Sequence, residues 1–341
     1  LSGGALPLEN GVLLSLAKFN RILDIDVANR VARVQPGVTN LSISNAVEDY
    51  GLYYAPDPSS QIACSIGGNV AENAGGVHCL KYGLTTHNIQ SLEVLTMCGE
   101  LLTIGSRALD APGYDLLALL TGSEGLLGII IEVTVKLLPS PEVARVVMAA
   151  FDSVDAAGAG VTAVIASGII PAGLELLDKP AIDAVEKFIH TGYPKHAAAI
   201  LLCELDGTQA DGSAQIERVN QVFSEAGAID QQVSRDEDER QRFWAGRKAA
   251  FPAMGRLSPD YYCMDGTIPR KHLAHVLNRI SIMSEEYGLP ICNVFHAGDG
   301  NLHPLILYDA NKEGELERTE ELGGKILELC VEVGGTITGE H

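Results

Sequence analysis

The amino-acid sequence predicts an α+β protein with two domains, and three observations support this prediction. The chain has 341 residues, of which 46% are hydrophobic and 36 are glycine, so it is long enough for two packed cores. Residues 1–138 combine short strand patterns with many glycines, whereas residues 139–341 alternate longer strands with helices. Because Pro139-Ser140-Pro141 ends the first pattern, the domain boundary is placed after Leu138.

The first domain is predicted to consist of short strands with few helices. Alternating or β-branched runs predict strands at residues 12–16, 30–35, 92–96, 101–104 and 129–138. Cys98-Gly99-Glu100 lies between two of these runs and predicts a hairpin turn. Thr39 or Asn40 can cap a helix that extends to Tyr50, and residues 116–120 predict a shorter helix.

The second domain is predicted to be an antiparallel sheet covered by helices. Its strands are expected at residues 143–151, 172–177 and 198–205. Its helices are expected at residues 154–167, 215–226, 237–248, 271–287 and 314–333. This regular alternation is typical of an α+β domain.

Net charge disfavours two classes of binding partner, and the cysteine pattern indicates the redox environment. The net charge is −20, from 44 acidic and 24 basic residues, which disfavours nucleic acid and anionic membranes. The seven cysteines never form a C-x-x-C pair, so we expect reduced thiols in the cytosol. No apolar run reaches 18 residues, which predicts no membrane span. The chain opens at Leu1 inside a glycine loop and stops at His341 directly after a motif, so we expect a fragment of a longer protein.

The segment from His296 to His303 gives the strongest local signal for a metal site. Asp299-Gly300 is typical of a two-residue turn, and a symmetric turn would place the two histidines opposite each other. Opposed residues have Cβ atoms roughly 4.5–5.5 Å apart, so both imidazoles could bind one metal ion. Glu340 could add an oxygen ligand, and His341 could accept a proton beside the metal. A surface hairpin with two solvated histidines explains the same residues, and the pattern leaves both interpretations open.

Four glycine clusters in the first domain favour a nucleotide-like ligand. They are Ser2-Gly3-Gly4, residues 64–69 (CSIGGN), residues 73–76 (NAGG) and residues 122–128 (GSEGLLG). Paired glycines let backbone amides approach a phosphate or a flat ring, although each single cluster can also be an ordinary turn. The sequence lacks both a G-x-G-x-x-G motif after a strand and a Walker A motif, which argues against a Rossmann dinucleotide site and a P-loop.

Longer segments together resemble a known family. They are residues 1–7 (LSGGALP), 34–38 (VQPGV), 55–59 (APDPS), 65–76 (SIGGNVAENAGG), 82–85 (YGLT) and 122–125 (GSEG), together with the histidine hairpin and Gly339-Glu340-His341. With these segments the chain resembles the FAD-linked 2-hydroxyacid dehydrogenases of the vanillyl-alcohol-oxidase superfamily. Within that family it is most similar to the flavin subunits of bacterial glycolate oxidases, which are close to the D-lactate and D-2-hydroxyglutarate dehydrogenases. The resemblance covers essentially the whole chain.

The resemblance implies a PCMH-type FAD-binding domain of two α/β subdomains, the first truncated, and an α+β cap domain with an antiparallel sheet. In the family, the loop that starts this chain holds the FAD pyrophosphate, and the segment from Pro56 to Gly76 runs toward the flavin ring. The implied FAD-binding residues are Ser2, Gly3, Gly4, Pro36, Gly37, Pro56, Asp57, Ser59, Ser65, Gly67, Gly68, Asn69, Asn73, Gly75, Gly76, Gly122, Glu124, Gly125, Gly128 and Ile130.

The resemblance also implies roles for residues of the second domain. A divalent metal would be held by His296, His303 and Glu340, a donor set that suits zinc and also manganese or iron(II). His341 matches the catalytic base of the family. Arg247 matches the arginine that binds the substrate carboxylate.

The same comparison points to a small substrate. A family threonine falls near Phe251 here, and a family lysine falls near Tyr262 or Cys263. Both family residues occur in the enzymes that act on dicarboxylates, so their absence favours glycolate or D-lactate over 2-hydroxyglutarate. A hydride from the substrate Cα would then pass to the flavin and leave the 2-oxo acid.

Partners and alternative functions complete these expectations. The resemblance implies partner flavin and iron–sulfur subunits as electron acceptors, and a cytoplasmic location at the inner face of the membrane through those subunits. A D-2-hydroxyglutarate dehydrogenase is the alternative within the family. A metal-dependent hydrolase would use the histidines but leave the glycine clusters unexplained. A non-catalytic flavin-binding scaffold is a further alternative, and bleaching of a yellow protein by a 2-hydroxy acid would exclude both.

Overall fold

A computed structural model of the protein describes residues 7–106, 108 and 113–338. These residues form two units that divide between Ser140 and Pro141. The division lies inside the Pro139-Ser140-Pro141 segment. Pro139 is the last residue of the first unit that pairs with a strand, and the two prolines lack the N–H donors that further sheet pairing would need. No helix in the described part of the chain is long and apolar enough to cross a lipid bilayer.

The described residues of the first unit form seven strands and five α-helices. The strands are β1 (Ile22–Asp26), β2 (Val31–Val34), β3 (Leu52–Tyr53), β4 (Ile89–Leu95), β5 (Leu101–Gly105), β6 (Ile129–Lys136) and β7 (Leu138–Pro139). The helices are α1 (Asn40–Val47), α2 (Ile66–Glu72), α3 (Cys79–Tyr82), α4 (Thr85–Asn88) and α5 (Leu116–Leu120), and a 3₁₀ turn, Glu48–Tyr50, follows α1.

Strands of the first unit pair antiparallel in the order β1-β2-β6-β4-β5, and β3 pairs separately with β7. Alternate residues of β6, Val133 and Val135, are fully buried in the core that also contains Ile43 of α1 and Val70 of α2, as the strand period requires. The predicted hairpin of β4 and β5 is confirmed. The strand predicted at residues 12–16 is wrong, because Val12 and Leu13 are 94% and 70% exposed and no described strand pairs with them.

The described residues of the second unit form ten strands and seven α-helices. The strands are β8 (Val143–Phe151), β9 (Gly173–Asp178), β10 (Ala199–Gly207), β11 (Asp230–Val233), β12 (Asp260–Cys263), β13 (Asp265–Thr267), β14 (Ile291–His296), β15 (Asn301–Leu302), β16 (Pro304–Tyr308) and β17 (Thr336–Thr338). The helices are α6 (Val154–Ala166), α7 (Lys179–Phe188), α8 (Gln209–Glu225), α9 (Glu237–Lys248), α10 (Ala250–Met254), α11 (Leu273–Tyr287) and α12 (Glu315–Glu332).

These strands form one antiparallel sheet in the order β11-β8-β10-β9-β14-β15-β13-β17, to which β16 and β12 are joined through β14. The sheet brings together strands that are distant in sequence, above all β9 and β14. This architecture confirms the predicted antiparallel α+β domain. Helix α9 has the bounds that its pattern predicted, whereas α7 was missed by sequence reasoning although Asp178 caps it.

The sheet carries helices on both faces. Phe151 and Leu201 contact Gly160 of α6 on one face. Successive side chains of a strand point to opposite faces of the sheet, and Glu175 and Glu204 project from the face opposite to Phe151 and Leu201. Both glutamates contact side chains of α9. The second face is the one that carries the candidate site.

Candidate active site

The hairpin that contains the two histidines closes differently from the predicted two-residue turn. His296 pairs with Asn301 around a four-residue loop, so the predicted pairing of His296 with His303 is wrong. Gly300 explains the difference, because its N–H donates to the His296 carbonyl over 3.0 Å and its φ is +85°. A Cβ at Gly300 would lie 2.1 Å from the Ile268 carbonyl oxygen, so the loop requires glycine there.

The sheet register places a carboxylate opposite each histidine. His296 on β14 lies opposite Glu175 on β9, and the β13–β15 register, continued by one residue, places Asp265 opposite His303. Opposed side chains on antiparallel strands project from one face. Nδ1 of His296 lies 2.7 Å from Oε1 of Glu175, and Nδ1 of His303 lies 2.7 Å from Oδ1 of Asp265. Both histidines are therefore held by a hydrogen bond from Nδ1 to a carboxylate.

The two imidazole rings are close together. Their centroids are 5.0 Å apart, and their planes are nearly perpendicular, at 89°. An ionised carboxylate only accepts hydrogen bonds, so Nδ1 of each ring carries the donated proton. A metal bond from either ring would therefore use Nε2. Because His296 and His303 are 5% and 2% exposed, such a bond would form away from bulk water.

Glu175 also holds Arg247, the residue that the sequence predicts to bind a carboxylate. Nε of Arg247 lies 2.6 Å from Oε2 of Glu175, and both side chains are buried. Burial raises the pKa of Glu175, but the neighbouring His296 and Arg247 lower it by more, to about 2. Glu175 is therefore an ionised carboxylate that connects the arginine to the histidine.

Sequence reasoning missed both carboxylate partners. Glu175 lies in the buried strand GLELLD, whose other acidic residue, Asp178, ends the strand and caps α7. A charge in the middle of a buried strand is a signal that it has a specific partner. Asp265 gives no comparable signal, because β13 is only three residues long. Their histidine partners are 121 and 38 residues away in sequence, so no local pattern connects them.

Residues of helix α9 that precede Arg247 hold the helix to the sheet through polar contacts. Asp236 caps its N-terminus by accepting a hydrogen bond from a first-turn N–H. The buried Glu204 carboxylate accepts hydrogen bonds from Nη1 of Arg240, at 2.8 Å, and from the indole N–H of Trp244. Because Trp244 lies one turn before Arg247, these contacts set the position from which Arg247 reaches Glu175.

Gly246 allows the close approach of α9 to a buried tyrosine. A Cβ at Gly246 would lie 2.4 Å from the Tyr193 ring. Tyr193 is 3% exposed, and its hydroxyl donates to the Phe243 carbonyl, so the ring has little freedom to move aside.

We expect Gly246→Ala to destabilise the protein and displace Arg247. The added methyl group must push aside a packed tyrosine, and such overpacking costs about 1–3 kcal/mol. Thermal melting should record this loss. Gly324→Ala on α12 is the control, because a Cβ there meets no atom within 4 Å and helical alanine stabilises by about 0.5–1 kcal/mol over glycine. Equal melting temperatures for the two variants would contradict the packing argument.

Asn301 places a buried polar atom on the same face as the histidines. Its side chain is 5% exposed, and its Oδ1 accepts no hydrogen bond from any described residue. Its position opposite His296 directs it to the histidine face of the sheet. A buried acceptor without a partner costs about 1–3 kcal/mol, so a donor or a cation from outside the chain would stabilise the protein here.

Cys263, Asp265 and His303 form a second possible group of ligand atoms, which lie within 4.8 Å of one another. The 2.7 Å between Nδ1 of His303 and Oδ1 of Asp265 is a hydrogen-bond length. Two ligands of one tetrahedral zinc ion are farther apart, about 3.4 Å for bonds of about 2.1 Å. Asp265 is therefore a hydrogen-bond partner of His303 in this structure.

An aromatic pair lies beside His303. The ring of Phe251 is 6.4 Å from the His303 ring and 6.4 Å from the Tyr261 ring, measured between centroids. Tyr262 and Cys263 follow on the same strand, β12, which pairs with β16. Of the residues that stand where the family has a threonine and a lysine, Phe251 and Cys263 lie close to this histidine, whereas the Tyr262 ring lies against Gly323 of α12.

Five predicted site residues lie outside the described part of the chain: Ser2, Gly3, Gly4, Glu340 and His341. The last described strand, β17, ends at Thr338, which pairs with Asp265. Glu340 and His341 follow Thr338 by two and three residues in the sequence.

Several predicted FAD-binding residues of the first unit meet around helix α2. A cavity of about 340 Å³ is lined by five of them, Pro36, Gly37, Ser65, Gly67 and Gly68. The loop that contains Gly122, Glu124 and Gly125 reaches the same helix, because the N–H groups of Gly122 and Glu124 donate to carbonyls of α2 over 2.8 and 2.9 Å.

Asn69 and Asn73 connect α2 to further loops. Nδ2 of Asn40 donates to Oδ1 of Asn69 over 3.0 Å and to the Pro56 carbonyl over 2.9 Å. Oδ1 of Asn73 accepts from the Thr86 N–H over 3.0 Å. The Pro56 loop is thereby held beside α2.

Other predicted FAD-binding residues have packing roles within the chain. A Cβ at Gly76 would lie 2.6 Å from the backbone of Asp57, whose carboxylate pairs with His78 at 2.8 Å. Gly128 packs against the Val94 side chain in the same way. Three more do not line the cavity at Pro36 and Gly68. Ser59 is exposed, Gly75 is buried, and Ile130 belongs to the hydrophobic core.

Comparison with known proteins identifies the family. A family model described as FAD linked oxidases, C-terminal domain, matches residues 140–341, more than half of the chain. The chain belongs to the FAD-linked oxidases. A second model, described as FAD binding domain, matches residues 1–105 of this FAD-linked oxidase. The protein is therefore an FAD-dependent oxidoreductase.

Two curated relatives illustrate its place among the FAD-linked oxidases. It is 68% identical to the glycolate oxidase subunit GlcD of Escherichia coli (strain K12), over 100% of its own length and 68% of that protein. It is 33% identical to the D-lactate dehydrogenase of Anaerostipes hadrus, over 100% of its own length and 74% of that protein. These findings confirm the family that the sequence motifs predicted.

A solved structure supports the same fold. Crystalline p-cresol methylhydroxylase with substrate bound superposes with a TM-score of 0.74 at 16% identity, covering 95% of this chain and 72% of that one. At this identity the likeness concerns the fold alone. It confirms the predicted PCMH-type FAD-binding fold of this FAD-linked oxidase.

Proposed function

We propose that this FAD-linked oxidase oxidises a small 2-hydroxymonocarboxylate, such as glycolate or D-lactate, to the 2-oxo acid. The observation that supports this most is the line of contacts from Arg247 through Glu175 to His296, with the His303 ring 5.0 Å away. A carboxylate and a neighbouring hydroxyl group are the two features of a 2-hydroxy acid, and an arginine and a histidine pair are suited to them. The names of both curated relatives refer to 2-hydroxy acids.

FAD fits the first unit, which the FAD binding domain model matches in part. The cavity at Pro36, Gly37 and Gly68 presents small residues and backbone, as a nucleotide requires. FAD supplies the hydride acceptor, a role that no amino-acid side chain can fill.

A divalent metal, zinc in our proposal, fits the second unit. Two histidines with Nδ1 bound to carboxylates have the arrangement that metal-ligating histidines usually show, and Glu340 would be the third ligand. The unpaired Oδ1 of Asn301 on the same face would gain a partner from a hydroxyl group or water there. When bound, the metal makes the substrate hydroxyl more acidic.

The residues then divide the chemistry between them. Arg247 binds the substrate carboxylate through its guanidinium group, and His341 accepts the proton of the 2-hydroxyl. The oxidation breaks the O–H and Cα–H bonds and forms a C=O bond, and FAD, when bound, would accept the hydride. The 2-oxo acid leaves, and the proton remains on His341 until solvent removes it.

An anaerobic titration tests the proposed reaction. The purified, FAD-loaded protein should be yellow, and glycolate or D-lactate should bleach its visible flavin band to the reduced form. A colourless protein that hydrolyses esters with added zinc would overturn the proposal in favour of a hydrolase. A yellow protein that no 2-hydroxy acid bleaches would instead indicate a non-catalytic flavin protein.

We expect a clear preference for small monocarboxylates. Phe251 is apolar and Asp265 is anionic, and neither would attract a second carboxylate beside His303. Steady-state kinetics should give a kcat/KM for glycolate or D-lactate at least tenfold above that for D-2-hydroxyglutarate, about 1.4 kcal/mol. Phe251→Thr should narrow this difference. A tenfold preference for D-2-hydroxyglutarate would assign the protein to that dehydrogenase group instead.

We further propose that the reduced flavin passes its electrons to partner flavin and iron–sulfur subunits. One curated relative is named as an oxidase subunit, which supports an assembly. We place that assembly in the cytoplasm, at the inner face of the membrane. Co-purification of an iron–sulfur protein with the tagged oxidase, and its reduction by glycolate, tests this proposal.

A further inference from the structure

Glu175 contacts two groups with different proposed tasks. It is fully buried on β9, and each of its oxygens has its own partner. Oε1 is 2.7 Å from Nδ1 of His296, and Oε2 is 2.6 Å from Nε of Arg247. Both contacts join side chains, Glu175 of β9 to Arg247 of α9 and to His296 of β14, so neither is a backbone hydrogen bond of a sheet or a helix.

Resting on the proposed function, we propose that Glu175 is a positioning residue that aligns the substrate-binding Arg247 and the metal-binding His296 at the same time. It touches neither substrate nor metal itself. Its charge and its two acceptor oxygens give both partners the orientation that they need.

For His296 the alignment concerns the position of the ring proton. A carboxylate can only accept, so Glu175 keeps the proton on Nδ1 and leaves Nε2 as the basic nitrogen that a metal requires. An amide in the same place could present an N–H instead. Nδ1 of His296 would then have to accept, the proton would move to Nε2, and metal binding would require its removal.

For Arg247 the alignment concerns which edge of the guanidinium group meets the substrate. Nε is bonded to Glu175, which directs the end of the group with Nη1 and Nη2 away from this contact. That end offers two parallel N–H bonds to a planar carboxylate. The buried negative charge of Glu175 also balances the buried positive charge of Arg247.

Glu175→Gln separates the two tasks. The guanidinium group cannot accept a hydrogen bond, so Nε of Arg247 should capture the amide oxygen of the new glutamine. The amide NH₂ group then faces His296 and imposes the tautomer that disfavours metal. We expect zinc affinity to fall at least tenfold, measured with the FAD-loaded protein by competition with a chromophoric chelator.

The double variant Glu175→Gln/Arg247→Met gives the decisive comparison. Without the arginine, the glutamine is free to turn its oxygen toward His296, and zinc affinity should return to within threefold of Arg247→Met alone. A merely structural role for Glu175 predicts that the double variant binds zinc no better than Glu175→Gln. Glu204→Gln is the matched control. This buried glutamate helps to position α9 through Arg240 and Trp244, but the carboxylate that holds Nδ1 of His296 is that of Glu175, so zinc affinity should be unchanged.

A measurement on the unaltered protein covers the case in which Glu175→Gln does not fold. Nitrogen-15 NMR of histidine-labelled, metal-free protein, recorded at a pH where the His296 ring is neutral, should show its one ring proton on Nδ1; a neutral His296 ring with its proton on Nε2 would overturn the inference. Zinc affinity in Glu175→Gln equal to that of the parent, or a double variant as weak as the single one, would also overturn it. If the parent protein binds no stoichiometric zinc, the proposed function fails instead, so the two failures are distinguishable.

Discussion

Replacing His303 by alanine is expected to remove the metal and nearly all turnover while leaving the flavin bound. His303 would supply one of two imidazole ligands, and a polarising metal contributes several kcal/mol to catalysis, so kcat should fall roughly 10³-fold. FAD content should stay stoichiometric, because the proposed FAD-binding residues belong to the first unit. Metal analysis, the visible spectrum and steady-state kinetics on one preparation measure all three properties.

His275→Ala is the matched control for this variant. His275 is exposed on α11 and has no role in the proposed site, so its replacement should change neither metal content nor kcat. Loss of FAD in His303→Ala, with metal retained, would show that His303 has been assigned to the wrong site.

Replacing Arg247 by methionine is expected to abolish substrate binding while keeping the metal. Two charge-assisted hydrogen bonds to the substrate carboxylate would be lost, each worth about 1.5–3 kcal/mol, so kcat/KM should fall roughly 10²–10⁴-fold. Zinc affinity should be nearly unchanged, because Glu175 still accepts from His296. Unfolding should become easier by about 3–5 kcal/mol, since Glu175 loses its buried counter-charge.

Lys248→Met tests whether this effect is specific. Lys248 is the next residue on α9 but is exposed, so its replacement removes one positive charge without changing the Glu175 contacts. It should leave kcat/KM within a factor of two. Equal losses in both variants would mean that general charge attraction, and not Arg247, binds the substrate.

Local signals were sufficient to predict β9 and α9, the elements that carry Glu175 and Arg247, but not β13, which carries Asp265. Helix α9 has the predicted bounds because Asp236 caps it and its periodicity is regular. The two histidines were recognised from a short motif, although their register was wrong. A two-residue turn was the favoured local choice, and the contact of Gly300 with the Ile268 carbonyl, which comes from a distant strand connection, decides against it.

Long-range pairing explains what sequence reasoning missed. Glu175 and Asp265 acquire their roles only when the sheet places them opposite histidines, and such pairings have no local signature. For the glycine clusters, the local signal was present but its cause was ambiguous. Gly76 and Gly128 are required by contacts inside the protein, so a glycine that packs closely gives the same sequence signal as one that lines a ligand cavity.

The pairing of β9 with β14 also has a consequence for the order in which the protein is made. Glu175 is synthesised 121 residues before His296, which at about 5–20 residues per second is a delay of roughly 6–24 s. During that time the ribosome-bound chain can pair β9 with β10, and Arg247, which follows Glu175 by 72 residues, becomes available before His296 does. Contacts between such distant segments form late and slowly. Zinc capture would therefore mark a chain whose second unit has finished assembling, and intermediates would be unable to retain the ion.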